Sequence, residues 1–188
     1  ILNFENNKDS LFYILKNDEL YKSLNKKLKN SKFFKKKEIK QNSFYHKLLK
    51  KNNYDLIINC EQNNQITKKY FSKRIDKDYK NLAYTTILDH EKLENNIATQ
   101  VFTELGPIAF LPISKIKTSV VLSLDVKNKI YKNHEILDLI EKNNPKFKIK
   151  KILKLNSFEL KSSNLRNYYH KNILCFGDLL HRIHPLAG

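Results

Sequence analysis

Short apolar runs, separated by polar or Gly/Pro segments, recur along most of the chain and predict its β-strands. Runs of β-branched and aromatic residues with polar boundaries are typical of strands, and a spacing of about ten to fifteen residues suits an antiparallel meander. Gly106 and Pro107 predict one of the turns. The runs assigned to strands are 10–16, 54–60, 81–88, 97–103, 108–113, 118–125, 147–160 and 173–176, together with the edge strands of a small ribbon within the lysine-rich stretch 32–51.

Other segments have the pattern of helices. Leu20, Leu24 and Leu28 recur every four residues and form one apolar stripe with polar residues opposite. Asn17 and Asp18 precede the stripe, and their short side chains can accept a free backbone N–H of a first helical turn. The helices predicted in the chain are 17–30, 66–72, which is short and basic, and 134–143, which would pack on the sheet.

The chain carries 36 Lys and Arg against 19 Asp and Glu, a net charge of +17. Such a charge is typical of proteins that bind nucleic acid or an anionic membrane surface. A biased composition explains it as well, because Lys, Asn and Ile are abundant throughout and only Lys35-Lys36-Lys37 forms a triplet. We therefore expect no nucleic-acid partner, and weak attraction to a membrane surface is the functional interpretation that remains. No run of apolar residues is long enough to predict a membrane span.

The cysteines and the last two histidines predict little reactive chemistry. Cys60 and Cys175 each lie in a strand-like apolar run. This favours small buried thiols in a reducing, cytoplasmic compartment. His181 and His184 could join Cys175 at a metal ion, but three ligands without a fourth do not complete a tetrahedral site. No metal site is predicted.

The last sixteen residues and one segment of the meander carry the most specific patterns. The apolar run 173–176 leads into Gly177-Asp178, and the chain continues to Pro185-Leu-Ala-Gly188. The other segment reads Gln100-Val-Phe-Thr-Glu-Leu-Gly-Pro-Ile-Ala-Phe-Leu-Pro-Ile113. Both segments resemble the p-hydroxybenzoate hydroxylase-like FAD-dependent monooxygenases. The resemblance is greatest to the branch that hydroxylates ubiquinone precursors.

The resemblance implies an α/β fold with an added antiparallel β substrate domain, of which this chain is an incomplete piece. The three glycines form no Gly-x-Gly-x-x-Gly, so the glycine-rich dinucleotide motif and the C-terminal helices of that FAD-binding fold would lie outside these residues. The implied division is 1–16 as the end of a substrate-domain strand segment, 17–76 as part of the FAD domain, 77–170 as the substrate-binding β-sheet domain and 171–188 as a second part of the FAD domain.

The resemblance also implies residues that contact the cofactor. Asp178 would accept hydrogen bonds from the ribityl hydroxyls of FAD, with helix capping as the alternative role. Gly177 would let the strand end turn without a side chain that blocks the cofactor. The residues expected to run beside the isoalloxazine ring are Pro185, Leu186, Ala187 and Gly188.

The segment after strand 54–60 departs from the family pattern. The family has Gly-Ala-Asp-Gly there, whereas this chain has Asn59-Cys60-Glu61-Gln62. Glu61 keeps the negative charge and adds a methylene, and Gln62 replaces a glycine that could adopt positive φ. Glu61 is therefore a candidate cofactor contact, with a polar helix start as the alternative.

The implied function is FAD-dependent, NAD(P)H-driven hydroxylation of a polyprenyl phenol by O2 in ubiquinone biosynthesis. Because the cofactor carries such chemistry, no catalytic side chain is assigned. We expect this chain alone to be inactive, and the whole protein to be cytoplasmic, with peripheral association at the inner membrane face or with a biosynthetic complex. The alternatives are a basic nucleic-acid- or membrane-surface-binding module, and a degenerate, non-catalytic family member, which the Glu61-Gln62 departure suggests.

Overall fold

The structure is a computed structural model that describes residues 11–38, 54–127 and 129–183 together with Tyr45 and Leu49. These residues form a seven-stranded and a three-stranded sheet and a few helices, a mostly antiparallel arrangement. The elements are α1 (Asn17–Lys29), β1 (Ile57–Asn59), α2 (Gln65–Tyr70), β2 (Arg74–His90), β3 (Thr99–Thr103), β4 (Gly106–Ser114), β5 (Lys117–Asp125), α3 (Asn133–Lys142), β6 (Ile149–Ile152), β7 (Asn156–Leu165), β8 (Tyr169–His170), β9 (Ile173–Cys175), a 3-10 turn (Gly177–Leu179) and β10 (His181–Arg182).

The large sheet has the order β10-β7-β2-β5-β4-β3, with β6 also paired to β2. All its pairs are antiparallel, as predicted. Among the described strands, only β3, β4 and β5 form a meander, because β2 pairs with β5 rather than with β3. The 17 residues of β2 are long enough to pair with β7 and β6 in succession along the opposite edge.

Helix α3 covers one face of the large sheet, which confirms the helix predicted there. Ile136 and Ile140 point into the sheet and are 0% and 1% exposed. They pack in one cluster with Leu88, Phe110 and Leu122. Full burial of each isoleucine contributes roughly 1.5–3 kcal/mol to stability. This cluster is the main core of the molecule.

Helix α1 has the predicted bounds but neither the predicted caps nor a buried face. Lys16 precedes the helix with extended backbone and no side-chain capping bond, so Asn17 and Asp18 are helical residues and their assignment as caps is wrong. Asp18 instead forms an ion pair with Lys22 at 3.3 Å. The stripe is exposed, by 44%, 53% and 44% at Leu20, Leu24 and Leu28.

Two predicted strand regions are wrong over their described residues. Residues 11–16 and 32–38 form bends, turns and irregular backbone without a strand, and Tyr45 and Leu49 have helical backbone. The rest of both segments lies outside the described residues. Tyr13 is 81% exposed. Apolar composition does not make a strand here because no described strand pairs with these residues.

Gly106 opens β4 rather than forming the turn before it. Glu104 and Leu105 make that turn, so the predicted position is shifted. Gly106 has φ +138°, and a Cβ atom there would lie 2.0 Å from the carbonyl oxygen of Ser123. A glycine therefore allows β4 to approach the backbone of β5 more closely than a side chain would permit.

At the end of β2, the buried His90 is hydrogen-bonded to its neighbours. His90 is 2% exposed, and its Nδ1 lies 2.8 Å from the carbonyl oxygen of Glu91. Its Nε2 lies 3.0 Å from the hydroxyl of Thr118. That hydroxyl also accepts from Asn95 Nδ2 at 3.0 Å. Because a carbonyl only accepts, Nδ1 carries a proton, and in the neutral ring Nε2 accepts from Thr118.

Candidate functional site

The two segments that resemble cofactor-binding motifs meet at one edge of the small sheet. Strands β1 and β9 are parallel neighbours, with Asn59 paired to Cys175. Because parallel strands end at the same edge, the segments that follow them lie together, at the kind of edge where α/β sheets bind ligands. Gln62 Nε2 donates to the carbonyl oxygen of Asp178 at 3.2 Å, which joins the two segments directly. We call the place where Glu61-Gln62 meets Gly177-Asp178 the strand-end edge.

A buried polar network fixes the turn between β1 and α2. Asn59 Nδ2 donates to the Thr67 hydroxyl at 2.7 Å, and Asn64 Nδ2 donates to Asn59 Oδ1 at 2.6 Å. The Thr67 hydroxyl donates to the carbonyl oxygen of Glu61 at 2.6 Å. Asn64 also caps α2 by accepting from the N–H of Thr67. The backbone of the turn is therefore held, while the side chain of Glu61 is exposed.

Sequence reasoning missed this network. Asn64 stands three residues before Thr67, the spacing at which a helix N-cap accepts from the backbone, so the cap was detectable. The role of Asn59 was not detectable, because nothing in the apolar run 54–60 indicates that this polar side chain will be buried against a helix.

The turn after β9 presents Asp178. Gly177 has φ +68°, and a Cβ atom there would meet nothing within 4 Å, so its backbone conformation and not crowding favours glycine. The side chain of Asp178 is exposed. Within the described ranges its carboxylate has no hydrogen-bond partner, and Phe176, which precedes the 3-10 turn, makes no capping bond. An unpaired, exposed carboxylate beside open space fits a ligand rich in hydroxyl donors.

The structure brings Glu61, Gly177 and Asp178 to the strand-end edge. Residues 185–188, expected beside the isoalloxazine ring, lie outside the described residues. The contacts of all these residues with a cofactor remain predictions.

The two cysteines differ in exposure. Cys175 is 1% exposed, as expected, and burial, with a smaller effect of the nearby Cys60, raises the pKa of its thiol to about 11. Cys60 is exposed, so the expectation of burial is wrong for this residue. Asn59 takes the buried position beside Cys175, and the next residue along an extended chain points away.

The described residues contain no group of three His, Cys, Asp or Glu side chains that could hold a metal ion. His181 contacts Asn164 instead, at 2.7 Å. A cavity of about 290 Å³ beside α2 is lined by other residues, namely Tyr45, Leu49, Gln65, Lys68 and Lys69. Among the helices formed by the described residues, none has the length and apolarity needed to cross a bilayer.

The large sheet has a second face, opposite the one that α3 covers. Leu122 and Leu124 belong to the cluster around α3, so Ser123 between them faces the other way. Ser123 pairs with Ala83, and Ala83 pairs with Phe158. The central members of this second face on β2, β4 and β5 are Ala83, Thr85, Ile87, Ala109, Leu111, Ser119, Val121 and Ser123.

Small residues in the middle of the second face are flanked by exposed aromatic rings. Ala83 and Ala109 are 5% and 1% exposed, whereas Phe102 on β3 and Phe158 on β7 are 77% and 56% exposed. From β7 to β3 the sheet order has four steps, or about 19 Å at about 4.8 Å per strand. The second face therefore has a buried middle of small residues between two exposed aromatic side chains.

Solved structures of flavin-dependent halogenases have a similar fold. The brominase Bmp2 aligns with a TM-score of 0.53 and 11% identity over 70% of this chain and 37% of that chain. The halogenase BrvH from Brevundimonas sp. BAL3 aligns with a TM-score of 0.52 and 11% identity over 70% of this chain and 27% of that chain. The halogenase CmlS aligns with a TM-score of 0.51 and 15% identity over 70% of this chain and 26% of that chain.

Neither the family models nor the curated proteins compared with the chain give a match. The chain spans only 26% to 37% of the length of these three solved structures. The similarity confirms the expected fold class. The chain therefore has the fold of the corresponding part of the flavin-dependent halogenases.

Proposed function

We propose that this chain is part of an FAD-dependent monooxygenase that hydroxylates an aromatic ring. The observation that carries the proposal is the strand-end edge, where the turn at Gly177 and the exposed Asp178 meet the segment of Glu61. The fold shared with flavin-dependent halogenases supports FAD as the cofactor. When bound, FAD supplies the oxygen-transfer chemistry, with NAD(P)H as the proposed reductant and O2 as co-substrate.

The residues at the strand-end edge would bind and orient the cofactor. The Asp178 carboxylate would accept hydrogen bonds from ribityl hydroxyls, and charge-assisted bonds of this kind are stronger than neutral ones. Gly177 leaves space at the strand end. Glu61 offers a second carboxylate on a turn that the buried network of Thr67 holds in place.

The second face of the large sheet supports an apolar aromatic substrate. Its small residues Ala83 and Ala109 are almost fully buried, so the apolar area that a ring could contact is that of Phe102 and Phe158, which flank them. Apolar surface of this kind binds lipophilic ligands and excludes water from the reaction. A polyprenyl phenol of ubiquinone biosynthesis, handled at a membrane surface or in a biosynthetic complex, is the substrate that we propose.

The test uses the complete gene product, purified and examined for visible flavin absorbance and for FAD affinity. Asp178→Ala should weaken FAD binding by about 10- to 150-fold, the effect of losing a charge-assisted hydrogen bond. Asp178→Asn, which keeps one acceptor oxygen, should lose less. Asp138→Asn removes an exposed carboxylate of α3 and serves as the control. Unchanged FAD affinity in Asp178→Ala would refute the assignment of this site.

Assays on the same purified protein distinguish the proposed function from the alternatives. Oxidation of NAD(P)H that depends on a phenol and O2, with a hydroxylated product and no need for halide, distinguishes hydroxylation from halogenation. A degenerate member kept for complex assembly would show neither FAD content nor NAD(P)H oxidation. A basic binding module would retain RNA or DNA on a filter at low salt and release it as salt rises.

A further inference from the structure

His181 is an exposed residue whose ring is held by two neighbours. Its Nδ1 lies 2.7 Å from Oδ1 of Asn164, and its ring meets that of Tyr168 edge to face, with centroids 5.5 Å apart. Because the Asn164 oxygen can only accept, Nδ1 carries a proton, and the neutral ring presents an acceptor at Nε2. No described residue bonds to Nε2.

His181 lies where the strand-end edge joins the large sheet. It begins β10, which pairs with β7, and it follows the 3-10 turn that carries Asp178. The two positions are three apart in the chain, so their Cα atoms are at most about 10–11 Å apart. The two side chains can therefore contact one ligand of the size of FAD.

The ring of His181 stands on the second face. Phe158 belongs to that face because it pairs with Ala83. From Phe158, β7 runs without interruption to Asn164, since the register shift between the two strands inserts its extra residues in β2. Phe158 and Asn164 are six positions apart along β7, an even number, so both side chains lie on the same face. His181 shares the face because it pairs with Asn164 and contacts its side chain.

We infer that His181 is a further cofactor-binding residue, whose Nε2 accepts a hydrogen bond from a ribityl hydroxyl of FAD and so positions the cofactor relative to the second face. The inference rests on the proposed function, since it requires FAD at the strand-end edge. Asn164 is a positioning residue that sets the ring orientation before the ligand arrives. Such preorganisation lowers the cost of ordering the side chain on binding.

The experiment titrates the complete gene product with FAD and follows flavin fluorescence. His181→Ala should raise the dissociation constant about three- to tenfold, the effect of one neutral hydrogen bond. His181→Gln, whose amide oxygen can accept in place of Nε2, should restore part of the affinity, which a structural role would not predict. Asn164→Ala should weaken binding less. The double variant should bind as His181→Ala does, since Asn164 acts through the ring.

His134→Ala removes an exposed histidine of α3 and should leave FAD affinity unchanged. Thermal unfolding without FAD shows whether any variant is misfolded. If the wild type binds FAD and His181→Ala binds it equally well, or if Gln restores nothing, the inference is wrong and the proposed function stands. If the losses add in the double variant, the positioning role of Asn164 is wrong. If the wild type binds no FAD, the inference and the proposed function both fail.

Discussion

The two described glycines are required for different reasons, and alanine substitutions should destabilise the protein to different extents. Gly106→Ala places a Cβ atom 2.0 Å from a backbone oxygen of β5, whereas Gly177→Ala meets open space at φ +68°. We expect the first change to lower the free energy of unfolding by more than about 3 kcal/mol, because strain and overpacking add. The second should cost about 1–2 kcal/mol for the left-handed backbone alone. Urea denaturation of both variants measures the difference, and equal losses would contradict it.

The cysteines should differ in reactivity. Cys175 is 1% exposed and its thiol pKa is raised to about 11, so it stays in the unreactive thiol form until the pH approaches that value. Cys60 is exposed. We expect an alkylating reagent at pH 8 to label Cys60 alone in the native protein and both residues in denaturant, as mass spectrometry of peptides would show. Rapid native labelling of Cys175 would mean that β9 is not packed as described.

At the residue scale, motif and environment were predictable to different degrees. Gly177 and Asp178 stand out because a strand followed by Gly-Asp is a recognisable local pattern. Burial of Cys175 followed from its apolar run, but the same reasoning failed for Cys60, where the strand ends one residue earlier than the run. The end of a strand depends on its neighbour, which a single run of residues does not contain.

Between elements, the group of His90, Thr118 and Asn95 ties the end of β2 to the start of β5. Thr118→Val keeps the shape of the side chain and removes the hydroxyl, which leaves His90 Nε2 without its donor. We expect a loss of about 1–3 kcal/mol, the cost of an unsatisfied buried polar atom. Thr85→Val, at a half-buried threonine of the second face, is the control and should change stability little. Denaturant unfolding measures the free energy of unfolding of both variants. If Thr118→Val stays within about 0.5 kcal/mol of the wild type, the usual effect of a surface change, the hydrogen-bonded group is dispensable.

Helices α1 and α3 show what periodicity determines. Both have apolar residues at helical spacing and both form helices with nearly the predicted bounds. The apolar face of α3 is buried against the sheet, while that of α1 is exposed. Spacing fixes the local backbone, but the partner of a face depends on residues distant in sequence.

Strand β2 extends into residues whose hydropathy did not predict a strand. Its first half includes the polar residues Lys77 and Asp78, at the start of the segment that the resemblance implies to be the substrate domain, yet both pair with β7. Backbone hydrogen bonds of a ladder do not require apolar side chains, so a strand can extend where hydropathy shows nothing. The boundary expected at residue 76 falls inside this continuous strand, and the division into domains remains a prediction.

For the molecule as a whole, the missing glycine-rich motif leads to a direct prediction. The 188 residues contain no Gly-x-Gly-x-x-Gly, the turn that lets a backbone approach a pyrophosphate. We expect the isolated chain to purify without FAD and to show no NAD(P)H oxidation, because the strand-end edge supplies only part of the binding surface. A yellow preparation with stoichiometric FAD would overturn this expectation.

The seven-stranded sheet followed from the sequence more fully than the small sheet. Its strands β2 to β7 lie close together in the chain and alternate visibly, whereas β1 and β9 are short and far apart. The two-residue strand β10, which also belongs to the seven-stranded sheet, was not predicted. The resemblance, and not periodicity, indicated that the ends of β1 and β9 belong together. The order of β2 beside β5 was not predictable, because runs of similar character pair in several ways.

The pairing of β1 with β9 constrains when the protein can finish folding. The bond that joins the two turns spans 116 positions of the chain, and closing so large a loop costs entropy that three residue pairs repay poorly. On the ribosome, β1 emerges long before its neighbour exists. We therefore expect the intervening sheet to assemble first and hold the two ends in place, so that the strand-end edge is completed last and a stalled or truncated nascent chain lacks it entirely.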